Sequence, residues 1–198
     1  MKKIAILLSL SAFLASSALH AATNPKDTPG AETYTIDTAH SGVSFKVRNF
    51  FSQVPGKFTN FTGTIRVVAA DPTKNYVRAV INAASVDTAE KDRDAHLQNE
   101  DFFNVTKFPE IIFESTEWTP GKEPNTYAVK GNLTMLGVTK PVTLDVTKLG
   151  KGEGRGGKII TGWSATTKLD RTDFGITYGR PAIGSEVTVD IDIQAVKQ

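Results

Sequence analysis

The chain has 198 residues, carries 23 Lys and Arg against 21 Asp and Glu, and contains no Cys. Without Cys no disulfide can hold the fold, so a buried apolar core must do so, and the length suffices for one domain with such a core. Charges so nearly balanced, with no clustered run of Lys and Arg, exclude a protein that coats nucleic acid through a basic face.

Lys2 and Lys3 precede an uncharged apolar run from Ile4 to Leu19, and small residues follow at Ala21 and Ala22. This is the layout of a secretory signal peptide over residues 1–22. Its run of 16 residues is short of the roughly 20 that a bilayer-spanning helix needs. No later stretch reaches that length, so the expected product is periplasmic, with no integral membrane segment after cleavage. Cleavage removes two lysines and no acid, which leaves 21 basic against 21 acidic groups. Residues 23–31, TNPKDTPGA, hold two prolines and no apolar periodicity and read as a flexible leader. The folded domain is expected over residues 32–198.

Beyond the leader, apolar residues recur with a period of two, the signature of strands with one buried face. Val43, Phe45 and Val47 form the first such set. A strand is predicted at Gly63 to Val68, and Val77, Ala79, Ile81 and Ala83 form a second set. Strands follow at Ile111 to Trp118 and Thr126 to Met135, then Val142, Leu144 and Val146, then Ile159 to Leu169. The clearest alternation is the last, which points Val187, Val189, Ile191 and Ile193 one way and Thr188, Asp190 and Asp192 the other. Asp71-Pro72, Pro120-Gly121 and Pro124-Asn125 supply turns. Between residues 88 and 104 good helix formers replace the alternation, so a short helical crossing is expected there. Gly150 to Lys158, with five glycines, reads as a long hairpin loop. Eight or nine antiparallel strands remove their edges best by closing into a barrel, although a sandwich also satisfies the pattern.

Five separated segments, TYTIDTAHSGVSFKV, VPGKFTNFTGTI, SVDTAEKDRDAHLQNEDFFNVTKFPEIIFEST, GNLTMLGVTKPVTLDV and DRTDFGI, stand in this order between Thr33 and Ile176. Together they closely resemble the YceI-like family of bacterial periplasmic proteins, a likeness running from about Tyr34 to Val196. The resemblance implies a single eight-stranded, lipocalin-like antiparallel barrel. It also implies an elongated apolar bore that holds a polyisoprenoid chain, such as the tail of an isoprenoid quinone or a prenyl phosphate, or another long-chain lipid. Many members carry a His where this chain has Asn49; Asn still hydrogen-bonds but neither titrates nor readily ligates a metal.

Ten Phe and two Trp lie beyond the leader. Phe45, Val47, Phe58, Phe61, Phe113 and Trp163 are candidates to line the bore, and Phe102, Phe103 and Phe108 to form a plug or lid. Read as residues alone, such aromatics are core packing, buried for their large apolar area; the resemblance brings bore lining level with that reading. Arg93, Asp94 and His96 have two readings: an ion pair that pins the helical crossing to the barrel, or a polar mouth for a phosphate or quinone head group. His40 belongs to the same candidate mouth. Lys140 reads as part of a strand entry beside Pro141 rather than as a head-group contact.

Catalysis lacks its usual parts. No Cys nucleophile exists, only His40 and His96 remain after export, and GxSxG, HExxH and a P-loop ending in GK[ST] are all missing. No catalytic residue, metal site or cofactor is therefore assigned. The expected function is a carrier that encloses a long-chain lipid, the alternatives being a lipid-modifying or redox accessory enzyme using His40 and His96, or a stress-protective structural module. A homodimer is one assembly compatible with the sequence. The intact mass of the exported protein is expected to correspond to a start at Ala22 or Thr23; a membrane-bound product retaining Met1 to Ala21 would contradict the signal-peptide reading.

Overall fold

The computed structural model describes residues 30–198, so the expected signal peptide and most of the leader lie outside the described residues. Eleven strands and one α-helix follow in order: β1 Ala31–Ile36, β2 Gly42–Asn49, β3 Ser52–Phe58, β4 Phe61–Val68, β5 Tyr76–Asn82, β6 Val86–Asp87, α1 Lys91–Leu97, β7 Glu110–Pro120, β8 Thr126–Met135, β9 Val138–Glu153, β10 Ile159–Asp170 and β11 Ile183–Lys197. Every pairing is antiparallel. Strands β1, β4, β5, β7, β8, β9, β10 and β11 form a closed eight-stranded barrel, as the resemblance implied.

Closure depends on β11, whose far edge is shared by two strands. Its last turn of ladder, Ala195 to Lys197, pairs with Ile36 to Tyr34 of β1 and joins the ring. Its earlier residues, from Ile183 to Asp192, pair instead with β2, which carries β3 and then the short β6 outward from the ring. A 3-10 turn over Thr38–His40, capped by Asp37, separates β1 from β2. There Ser41 Oγ donates to the carbonyls of Asp37 and Gln194 and accepts from Gln194 N, which covers the backbone groups that the break would leave unpaired.

Three strands escaped the period-two reading. β1 is short, and β3 contains Pro55-Gly56, a pair that ordinarily signals a turn; here Pro55 lies opposite Lys46 within the β2–β3 ladder. β6 has two residues, too few for any alternation. The glycine-rich segment also differs from its expected form. β9 and β10 remain paired through Gly150 and Gly152 to Glu153, and only Gly154 to Lys158 turns the chain. Ladder bonds come from the backbone and need no side chain, while Gly156 and Gly157 supply the positive φ that the turn requires.

One end of the barrel is sealed by charge. Glu32 accepts from Lys151 Nζ at 2.6 and 2.8 Å, from Lys197 Nζ at 2.8 Å and from Tyr34 Oη at 2.7 Å. Hydrogen bonds from Lys151 and Lys197 hold the Glu32 carboxyl well below the ordinary range, at about 2. A carboxylate whose pKa falls on folding contributes stability above its unfolded pKa, and that contribution is lost as pH drops through the folded value. The Glu32 contribution to stability is therefore expected to be complete above about pH 5 and to fade between about pH 4.5 and 2. Urea melts of the parent and of Glu32→Gln should differ at pH 7 and converge near pH 2; equal stability at pH 7 would contradict the role of this cluster.

Candidate functional site

The inward face of the barrel encloses a bore rather than a filled core. A cavity of about 250 Å³ lies between the walls and runs from Trp118 and Trp163 to Phe102 and Ile183, so it is long for its volume and suits a thin chain better than a bulky ring system.

Alternation builds the wall. Val43, Phe45 and Val47 of β2 face it, as do Val77, Ala79 and Ile81 of β5 and Val187, Val189, Ile191 and Ile193 of β11. In β7 a bulge between Ser115 and Glu117 shifts the phase, so that Ile111, Phe113 and then Trp118 all point inward. A second bulge falls on β9, where Leu149 is the extra residue opposite the Gly162–Trp163 step; β10 itself alternates without a break, so Trp163 points inward in phase with Ala165, Thr167 and Leu169. Ser115, left between Phe113 and Trp118, accepts from the Trp118 indole N–H at 3.2 Å and from Val77 N at 2.9 Å.

Large rings fit along this wall because glycines face them across the strands. Phe45 lies over Gly56, and a methyl group there would overlap its ring. Phe113 lies over Gly131 in the same way. Each ring occupies the place of the missing side chain and leaves the axis open. At the floor, Trp118 and Trp163 meet edge to face, with centroids 5.8 Å apart and planes at 82°, and Tyr127 leans on both. Lys148 Nζ sits 5.7 Å above the Trp163 ring. Beyond this layer lies the Glu32 cluster.

The opposite end is closed by chain rather than by charge. Helix α1 is capped by Glu90, whose carboxylate accepts from Asp92 N and Arg93 N, and it turns Leu97 into the bore. The following segment adds Phe102 and Phe103, and the Phe103 ring meets Phe58 edge-on at 5.6 Å. Ile176 and Ile183 complete this lid. The segment that carries them is tied by Arg171, which is 5 % exposed. Its Nε, Nη1 and Nη2 donate to the carbonyls of Gly184, Ile176 and Ile183 at 2.8 to 2.9 Å. Burial pushes its pKa down from the usual arginine value, with repulsion from Arg180 adding to the effect and Asp170 opposing it.

The polar groups of the wall are almost all engaged. Ser44 Oγ donates to Asp190 O, Thr167 Oγ1 to Thr143 O, and Arg171 to its three carbonyls. Among the described residues the Trp163 indole N–H is the one buried donor on this wall without a partner.

Of the residues singled out in the sequence, Phe45, Val47, Phe58, Phe61, Phe102, Phe103, Phe113 and Trp163 all line the bore. Phe108 does not; its ring packs on Gly137 and beneath Lys107. His96 stands one layer behind the lid, bonded to Asp101 at 2.9 Å and edge-on to Phe102 and Tyr178. Arg93 does not form the anticipated carboxylate pair. Both Arg93 and Asp94 bond to Thr88, so the crossing is pinned through that residue's hydroxyl and backbone. His40 lies away from the bore on an exposed 3-10 turn, where its ring holds the Asp37 carboxyl below its ordinary range. Asn49 ends β2 opposite the lid residue Ile183, at the rim. Arg171 went unassigned in the sequence because a lone Arg in DRTDFGI carries no pattern of its own.

The model of the YceI-like domain matches residues 34–195. A UPF0312 protein of Serratia proteamaculans is 39 % identical over 170 residues, covering 84 % of this chain and 88 % of its own. Among solved structures, BcnA of Burkholderia cenocepacia superposes with a TM-score of 0.73 at 23 % identity, over 80 % of this chain and 98 % of its own. A polyisoprenoid binding domain from Saccharophagus degradans superposes at 0.63 with 16 % identity, over 83 % of this chain and 98 % of its own.

The calibre set by Gly56 can be tested directly. Gly56→Ala is expected to drive the Phe45 ring into the bore, because the atoms in its way are the far edge of that one side chain. Retention of a long-chain lipid should fall by about tenfold or more, while stability drops by only about 1–3 kcal/mol. Unchanged retention in a lipid titration would show that Phe45 does not limit the bore.

Proposed function

Because the chain belongs to the YceI-like family, we propose that it is a periplasmic carrier enclosing one isoprenoid or other long-chain lipid, with the tail in the bore and the polar head toward the α1 end. The observation that carries this reading is a bore whose wall is apolar apart from Ser44, Thr167 and Arg171, all engaged by backbone carbonyls. Protein interiors pack densely and leave few voids larger than a water molecule. At about 24 cal/mol per Å³, an empty cavity of 250 Å³ would cost on the order of 6 kcal/mol, comparable with a domain's entire stability. An apolar occupant removes that cost and gains roughly 25 cal/mol for each Å² of its surface taken out of water.

The slender section favours a flexible chain, and the wall makes little demand on its chemistry, since the Trp163 N–H is the one buried donor it leaves open. A quinone tail, a prenyl phosphate tail and a fatty chain all satisfy it. The polyisoprenoid binding of the Saccharophagus domain, on the same fold, supports the first two. The enzyme alternative would require His40 and His96 to act on one ligand. They lie apart, His40 outside the barrel and His96 behind Phe102.

Solvent extraction of the purified protein followed by mass spectrometry is expected to release a long-chain lipid in about equimolar amount. His40→Gln and His96→Gln should still retain it, since a head-group hydrogen bond is worth only about 0.5 to 3 kcal/mol against the burial of a whole tail. An empty bore, or turnover of a prenyl quinone by the parent that either variant abolishes, would overturn the carrier reading.

A further inference from the structure

At the tip of the β2–β3 hairpin, Phe50 and Phe51 are 62 % and 103 % exposed. Among the described residues they are the most exposed phenylalanines, and their position is not one that folding would choose. Phe50 has φ of 51°, in the left-handed region where Asn and Gly are at home and a bulky aromatic residue is an outlier. Neither its burial nor its backbone conformation stabilises the barrel, so the pair serves something outside the chain.

The tip stands at the lid end of the bore. Phe50 N donates to Ala182 O, one residue before the lid residue Ile183, and Asn49 pairs with Ile183 itself. Tyr178, 47 % exposed, lies on the same rim against Phe102 and His96. Two cations stand beside the tip, while the carboxylates of the same rim, Asp101 and Asp170, are already engaged by His96 and by Thr172. Arg48, exposed, donates from Nη1 to Phe50 O, and exposed Arg180 lies two residues from Ala182. Lower on the barrel the lysines are matched with acids, as in Lys46–Asp190, Lys57–Asp87 and Lys168–Glu186. Arg48 and Arg180 have no ion-pair partner among the described residues.

We propose that the Phe50-Phe51 tip, flanked by Arg48 and Arg180, is a membrane-docking element that sets the lid end of the barrel against a bilayer bearing anionic headgroups. Two rings on a narrow hairpin present far less area than the roughly 800 Å² per partner of a stable protein interface. They do suit the boundary between headgroups and acyl chains, where aromatic side chains concentrate. Unpaired arginines beside them complement lipid phosphate and anionic headgroups, and arginine bonds phosphate in bidentate fashion. A carrier docked in this pose presents its lid, built from Phe102, Phe103 and Ile183, to the layer from which a tail is drawn. The proposal rests on the lipid-carrier reading for its purpose, but its test does not require that reading to hold.

The test is co-sedimentation of the full mature protein with vesicles of phosphatidylcholine alone and with added phosphatidylglycerol, alongside thermal melts and solvent extraction of the same samples. The parent should bind the anionic vesicles, and raised salt should weaken that binding. The Phe50→Asn, Phe51→Ser double variant should bind at least about tenfold less, with an unchanged or higher melting temperature, since Asn relieves the left-handed strain, and with its extractable lipid intact. Arg48→Gln and Arg180→Gln should each weaken binding about fivefold on anionic vesicles and leave phosphatidylcholine unaffected. Absence of vesicle binding by the parent, or equal binding by the double variant, overturns the proposal. So does a dimer in analytical ultracentrifugation that the double variant abolishes, because a second copy would then cover the tip. A protein that docks yet yields no lipid on extraction would count against the carrier reading and leave the docking element standing.

Discussion

Everything inside this molecule depends on the closed ring of backbone hydrogen bonds. An open sheet could fold over and fill its own apolar face, as cores ordinarily do. A ring in which β11 is stitched to β10 on one side and to β1 and β2 on the other has no edge to move inward. The wall is held apart by its ladder, so the side chains need not meet at the axis. The narrowest part of that closure is the three-residue pairing of β1 with the end of β11, supported by Ser41 where the chain breaks between β1 and β2.

The inward face follows from the ring. With a period of two, each strand commits half its side chains to the bore, and a bulge in β7 corrects the phase where Trp118 would otherwise turn outward. Glycine then decides how wide the bore is. At Gly56 and Gly131 the absent side chain is the space in which Phe45 and Phe113 recline. The aromatic content of the chain thus becomes lining, where the same residues opposite larger partners would have formed a plug.

Much of this was legible in the sequence, and the failures have physical causes. Strands with long, clean alternation, such as the one carrying Val187 to Ile193, declared both their existence and their facing. β3 did not, since Pro55-Gly56 has the chemistry of a turn and only the partner strand shows it to be a ladder. The Gly150–Lys158 segment misled in the opposite direction, because flexibility in isolation says nothing about a backbone that a neighbour has already ordered. Among site residues, the aromatic set was readable because alternation and size act together. Histidine and arginine were harder to place. Arg93 was readable as a pin for the crossing but not through Thr88, His40 carried no sign that it faces away from the bore, and Arg171 is recognisable only from the three carbonyls that converge on it.

The two ends of the barrel differ in kind, one a fixed floor of crossed indoles backed by the Glu32 ion cluster, the other a lid of short helix and loop. A tube with a closed base and a lidded top has the form of a ruler. In a carrier of the kind proposed, a tail entering at the lid would stop at the indole floor, and its length would decide how far its head stands proud of Phe102 and Phe103.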